Sequence, residues 1–201
     1  MAEASHLGSA SAGSTAAPAG KILESFHSDL ATGRAVFSIP LAVPPGRRGI
    51  QPNLFVAYSS SAKNGPLGVG WSLELGCIER STRWGIPKFD SSDTFVLRYG
   101  GVHADLGPIA PGEYRLKDEQ LFAKITFNGT SWMLTAKDGS TAIFGATPDS
   151  VQTVTAGTFA WFLNEVRDIH GNVMTLSYTS AGRQVVPASI RYAAHPATGL
   201  S

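Results

Sequence analysis

The residues able to do chemistry are few and scattered. Gly70-Trp71-Ser72-Leu73-Glu74 is one glycine short of the Gly-x-Ser-x-Gly elbow, and the missing glycine is the one that permits a sharp strand-to-helix turn. No helical pattern follows, so Ser72 is not read as a nucleophile. Asn64 to Gly70 has the glycines of a phosphate loop. It lacks the Gly-Lys-Ser/Thr ending and a following amphipathic helix, and a hairpin accounts for it better. Cys77 is the single cysteine, which excludes an intrachain disulfide framework. Its place between Gly76 and Ile78 marks a small buried residue rather than a reactive thiol.

Metal chemistry finds no clear pattern either. Asp90, Asp93 and Asp105, or Asp168 with Asn172, could offer oxygen ligands to calcium. The alternating carboxylates and final glutamate of an EF-hand are missing, so these side chains are expected to cap turns. The five histidines, His6, His27, His103, His170 and His195, form no His-x-x-x-His pair. Asn128-Gly129-Thr130 spells a glycosylation sequon inside a tight hairpin, where its use is not expected. Trp71 and Trp161 lie in strand-like runs and are expected in the core, while Trp84 and Trp132 stay open between core and surface. A carbohydrate platform would need two or more tryptophans exposed on one face. No catalytic, cofactor-binding or metal-binding residue is assigned, and no cofactor is expected.

The elements that would position any site read as β throughout. At 201 residues one domain with a sizeable core is possible. Sixteen Lys and Arg against fifteen Asp and Glu leave a formal charge of +1, so no strong field draws in nucleic acid or an anionic membrane. In residues 1–20, fourteen of twenty are Ala, Ser or Gly. Without a basic n-region or an apolar run, that stretch reads as a disordered leader, neither a Sec signal nor a membrane span. Residues 21–201 then form the domain. In Lys21 to Arg34, the spacing of Ile22, Leu23, Phe26 and Leu30 could suit a short helix face, stopped by Thr32-Gly33.

From Phe37 onward Phe37, Ile39, Leu41 and Val43 alternate with Ser38, Pro40 and Ala42, a period of two that puts one face on a core. Pro40 costs a ladder bond, so this strand is an edge or bulges there. Pro44-Pro45-Gly46 and Arg47-Arg48-Gly49 form a rigid, solvated corner. Leu54 to Tyr58 is continuously apolar and suits a strand covered on both faces. Asn64-Gly65-Pro66 forces a turn, and Gly68 and Gly70 leave room for another backbone before Trp71 opens a buried run. Residues 84–93 read as a loop and Thr94 to Tyr99 as a short strand; Ile109 to Glu113 is loose and Tyr114 to Gln120 charged. Leu121, Ala123, Ile125 and Phe127 share a face. Asn128-Gly129 and Asp138-Gly139 then mark hairpins leading into Trp132 to Ala136 and Thr141 to Phe144. Phe159 to Val166 buries Phe159, Trp161 and Leu163 or the opposite set. Further strands follow at Val173 to Tyr178 and Ile190 to Tyr192.

Several linked motifs in one order resemble the N-terminal domain of SpvB-type proteins, which opens the B component of insecticidal toxin complexes and related Rhs/YD-repeat proteins. They are Ser-Ile-Pro-Leu (38–41), Pro-Pro-Gly-Arg (44–47), Gln-Pro-x-Leu (51–54), Tyr-Ser-Ser-Ser (58–61) and Asn-Gly-Pro-Leu-Gly-Val-Gly-Trp-Ser-Leu (64–73), with Ile78 and Arg80 after them. The Gly-x-Pro step at Gly85 and the pattern Trp-x-Leu-x-x-Val-x-Asp-x-x-Gly-Asn at 161–172 extend the likeness to about Tyr192. Tyr178 to Arg183 faintly resembles the core of a YD repeat, though one copy makes no array. The resemblance also makes Phe26 part of an extended lead-in, which favours strand over helix there.

The resemblance implies an all-β fold of meandering antiparallel strands in curved sheets, part of a larger β shell. It implies a non-enzymatic structural domain that helps enclose and deliver a toxic C-terminal segment. Its partners would be YD-repeat and propeller regions of a longer chain or a C component, and an A-component channel, without nucleic acid or direct membrane insertion. It further implies secretion by a non-Sec route after cytoplasmic synthesis. The family's namesake carries a C-terminal ADP-ribosyltransferase in another domain, and the Glu-x-Glu pair expected of many such enzymes is absent here. The rival reading is a β-sheet binding or adaptor module for a glycan or a partner protein.

Overall fold

The structure, a computed structural model, describes residues 26–29, 34–46, 50–61, 64–65, 67–73, 75–117, 122–182 and 184–194. The leader, the Arg47-Arg48-Gly49 corner, Leu121, His6 and His195 lie outside them, as do most of Lys21 to Arg34 and the side chain of His27.

An N-terminal sheet comes first. β1 (Phe26–Asp29), β2 (Arg34–Leu41), β3 (Leu54–Ser59) and β6 (Trp71–Leu73) pair in the order β1-β2-β3-β6. Strand, not helix, is thus the state of Phe26–Asp29. Pro40 sits beyond the reach of β1, which pairs only with residues 34–37. At Pro40, β2 has a neighbour on one side alone, where a missing N–H costs nothing. A short ribbon pairs β4 (Asn64–Gly65) with β5 (Gly68–Val69), Asn64 opposite Val69 and Gly65 opposite Gly68. Two expectations need correction. All six residues of β3 are half-buried, so neither face of this strand is fully covered. Trp71 is likewise half-buried, its ring 5.1 Å from that of Tyr58. A four-stranded sheet with open faces has too little opposing surface to bury them.

A closed barrel follows. β7 (Cys77–Arg80), β8 (Phe95–Tyr99), β9 (Val102–Ala110), β10 (Glu113–Leu116), β11 (Ala123–Phe127), β12 (Trp132–Ala136) and β13 (Thr141–Phe144) run as an antiparallel meander. After a one-turn 3₁₀ segment at Pro148–Ser150, β14 (Val151–Val154) leads into β15 (Gly157–Arg167). β15 pairs with β7 through residues 160–162 and with β13 through residues 163–167, closing the ring. Its two ends carry extra strands: β14 beside the first half, and β16 (Val173–Ala181) beside the last, with β17 (Gln184–Ala194) outside β16. The stretch from Ile109 to Glu113 is not loose: β9 continues through Ala110, and Pro111-Gly112 turns the chain straight into β10. Its side chains are exposed, and so it carries no apolar alternation.

The period-two pattern fills the barrel. Ile78, Leu97, Leu106, Ile125, Trp132, Leu134 and Phe144 are all at most 2% exposed. The rings of Phe95, Phe127, Trp132 and Trp161 meet with centroids 4.5 to 6.4 Å apart. Trp132 therefore belongs to the core. Such aromatic contacts each add about 0.5–1.5 kcal/mol beyond area burial. The ambiguity over which set β15 buries has a physical answer. Trp161 and Leu163 point inward, then the register shifts against β13 and Asn164 and Val166 are buried instead. The bulge is held because Asn164 Oδ1 accepts the Ala146 N–H at 3.0 Å.

Candidate functional site

Among the described residues, those singled out for chemistry do not converge. Ser72 lies within β6, not on a strand-to-helix elbow, and its hydroxyl donates weakly to the Ala57 carbonyl at 3.5 Å. Cys77 is half-buried at the start of β7, opposite Arg98. His103 and His170 are exposed on different elements. Among the described residues no three His, Cys, Asp or Glu side chains gather as a metal site.

Asp90, Asp138 and Asp168 hold turns, whereas Asp105 lies within β9 and faces Arg83 at 3.6 Å instead of capping one. Asp90 Oδ1 accepts both the N–H and the hydroxyl of Ser92, and that hydroxyl, followed by the N–H, keeps its carboxyl below the ordinary 3.8. Asp168 accepts the N–H groups of His170 and Asn172 and the Asn172 amide. Asp138 caps Ser140 in the same way. Asn128 is bound within its own hairpin: Oδ1 accepts the N–H groups of Thr130 and Ser131, and Nδ2 donates to Ser131.

One arrangement is built from distant elements. After β7 the chain leaves the barrel as a loop over residues 81–94, closed at its neck by the Ser81 N–H bonding the Thr94 carbonyl at 2.8 Å. Arg80, 14% exposed, puts its guanidinium 5.1, 5.3 and 5.8 Å from the ring centres of Phe89, Phe95 and Trp161. Its Nε donates to the Thr158 carbonyl and its Nη1 to Asp93 at 2.6 Å. Asp93, 8% exposed, also accepts the N–H groups of Lys88 and Phe89 at 2.9 and 2.7 Å. Burial alone would raise the Asp93 carboxyl, but these donors outweigh it and hold it below 3.8. Phe89 takes a φ of +64°, unusual for a bulky residue, and its ring packs against Gly157. At the tip Trp84 is 84% and Ile86 92% exposed. The sequence marked residues 84–93 as a loop without showing that Arg80 and Asp93 lock it, because their meeting depends on ring packing from β8 and β15.

A second feature is a cavity of about 510 Å³ between the N-terminal sheet and the barrel end. Leu54, Phe55, Tyr99, Leu163, Met174 and Leu176 line it, with Arg98 and His103 among its polar groups. Arg98 is ion-paired with Glu79 across the strands, and the Tyr192 hydroxyl ties β17 to the Pro44 carbonyl nearby. Among the described residues that line it there is no Ser, Thr, Cys or Lys.

An antiparallel barrel with an N-terminal sheet and an outer ribbon defines an all-β domain. Residues 29–110 match the family model described as "Salmonella virulence plasmid 65kDa B protein". Over 70 residues the chain is 43% identical to the mono(ADP-ribosyl)transferase SpvB of Salmonella choleraesuis and 41% identical to that of Salmonella typhimurium. Those 70 residues are 35% of this chain and 12% of each relative, so the chain matches only a small part of their length. Among solved structures, TcdB2-TccC3 is similar with a TM-score of 0.69 and 22% identity, over 80% of this chain and 10% of that one. The N-terminal domain of the effector protein SpvB from Salmonella typhimurium strain LT2 gives 0.63 and 21%, over 77% and 64%. The Photorhabdus luminescens Tc holotoxin pore gives 0.66 and 22%, over 80% and 9%. Residues 29–110 thus carry the SpvB sequence pattern, and the fold is that of an SpvB-type N-terminal domain.

Proposed function

We propose that residues 21–201 serve as a non-enzymatic wall domain of a toxin-complex B component or Rhs-like protein, helping to enclose a toxic C-terminal segment for delivery. The observation that carries this reading is the barrel interior, filled with aromatic and aliphatic side chains. A closed ring of strands is rigid and has no edge of its own, which suits a wall. The fold of the TcdB2-TccC3 neighbours supports the same role. In this reading the partners are YD-repeat and propeller regions of a longer chain or a C component, with an A-component channel downstream. In this reading the protein is exported after cytoplasmic synthesis. No helix among the described residues is long and apolar enough to cross a membrane.

The test begins with the intact mass of the native polypeptide in its source cell. A polypeptide of many hundreds of residues, whose C-terminal segment resists protease until the shell is opened, is the expected result. A native mass near 21.1 kDa would sink the shell role. The adaptor reading draws on the exposed Trp84; a glycan platform is disfavoured, since Trp132 and Trp161 are buried and Trp71 is half-buried.

A further inference from the structure

We infer that the apolar face of the N-terminal sheet, built on β2, β3 and β6, is the surface that an uncharged, apolar segment of the same polypeptide covers, a segment lying beyond residue 201. The inference rests on the wall reading, in which the domain is one part of a longer polypeptide, and it names the surface on which that polypeptide closes.

The register sets out the face. Cross-strand partners share one side of a sheet, and side chains alternate along each strand. Phe37 stands opposite Tyr58, Ile39 opposite Val56 and Leu41 opposite Leu54. β6 adds Trp71 beside Tyr58 and Leu73 beside Val56. The reverse side carries Ser38, Pro40, Phe55, Ala57, Ser59 and Ser72, most of them small or hydroxyl-bearing. A sheet patterned in this way has one side to bury against another element.

The described residues do not finish burying it. Leu41 is 41% exposed and its companions on the face are half-buried. Among the described residues, none of them belongs to the barrel core or to the apolar side chains packed against it. Nor is the face composed for water. From Ala35 to Leu73 the charged residues are Arg47, Arg48 and Lys63, and there is no acid. A surface suited to solvent carries charge at about a quarter to a third of its positions, whereas the cores of interfaces are depleted in it.

Size decides the occupant. Strands lie about 4.8 Å apart and rise about 3.3 Å per residue, so three strands of about six residues offer at most ~14 by 20 Å, or ~280 Å². Two copies laid face to face would bury ~560 Å² in total, well under the ~1,200 Å² of a stable interface between separate molecules. A separate apolar protein meets the same limit. A segment of the same polypeptide does not, because its tether removes most of the translational and rotational cost of association. The rest of this chain is too poor in apolar residues to serve: the large ones in residues 1–25 are Met1, Leu7, Ile22 and Leu23, and residues 195–201 hold only Leu200. The cover therefore comes from beyond residue 201. Proteins of this fold have ample length for it, since the chain spans 12% of its SpvB relatives and 10% of TcdB2-TccC3.

The experiment uses the full-length native polypeptide with a benzophenone amino acid at position 41, at the open end of the face. Irradiation and peptide mapping should join position 41 to one segment beyond residue 201 of the same polypeptide, where the contacting residues are apolar and uncharged. Leu41→Asp, which sets a charge on the face, should lower the thermal midpoint of the full-length polypeptide by several degrees, whereas Ser38→Asp on the reverse side should leave it within about one degree. Equal shifts in the two variants overturn the inference. So do crosslinks to the barrel, to residues 1–25, to a second copy, to a separate protein or to lipid, and so does a benzophenone left unreacted in the intact polypeptide. A native mass near 21.1 kDa removes the wall reading and this inference together, while a long polypeptide crosslinked elsewhere removes this inference alone.

Discussion

Asp93 gathers three donors on one carboxylate, and its loss is felt wherever those donors lead. Asp93→Ala leaves the Arg80 guanidinium and two N–H groups short of an acceptor, and about 2–3 kcal/mol of stability should go, measured by urea unfolding. The pH dependence has a definite sign. Because the folded carboxyl titrates below the ordinary 3.8, its contribution is complete above that value and is lost as pH falls through the folded value. Asp93→Asn should therefore flatten the acid side of a stability-against-pH curve, and an unchanged acid limb would count against the lock. Gly145 is the other sensitive residue. Its φ is +71°, and a Cβ there would stand 2.2 Å from Trp161 Cδ1. Gly145→Ala should cost about 3 kcal/mol from backbone strain and displacement of a buried ring, read as a lower urea midpoint. At this scale the turn-makers were legible from sequence, since Asn128 and Asp138 bond within their own four residues. Arg80 was not, because its role comes from rings on β8 and β15.

β15 belongs to two structures at once: it closes the barrel against β7 and then β13, and its last residues also carry the outer ribbon of β16 and β17. The ribbon is fastened at a point where its own ladder is irregular. Opposite Pro187 the register of β16 slips, and the Tyr178 N–H is taken by Asp149 Oδ2 at 2.7 Å. That bond, and then the Thr147 hydroxyl, holds the Asp149 carboxyl below its ordinary value. Asp149→Ala should speed amide exchange across β16 and β17 while leaving the β11–β12 hairpin unchanged, at a cost of about 1–2 kcal/mol. Uniform exchange in all strands would contradict this. Strand identity was largely legible in the alternation of Trp132 to Ala136 and Thr141 to Phe144. Which face of β15 is buried was not: the Asn164 bulge answers to a neighbour some twenty residues earlier, and a period read along one strand carries no information about its partner.

The motif-rich stretch from Ala35 to Arg80 is not where the molecule is most firmly held. Among the described residues every hydrophobic side chain of the buried core cluster lies at or beyond Ile78, while β3 and β6 of the N-terminal sheet are half-buried. Sub-global opening should therefore begin with β1 to β3 and β6, whose amides should exchange well before those of the barrel; equal protection would refute this. The all-β class was legible because turn signals recur at short intervals, whereas closure of the ring depends on a pairing across more than eighty residues, between Cys77 and Phe162. The packed aromatic centre has an optical consequence. Trp132 and Trp161 sit 5.9 Å apart at 76° in a fixed chiral arrangement, so their indole transitions will couple as an exciton pair. Circular dichroism should show a signed indole couplet superimposed on the amide signal. A strand content fitted from that spectrum would come out too low, until Trp132→Phe removes one of the two oscillators.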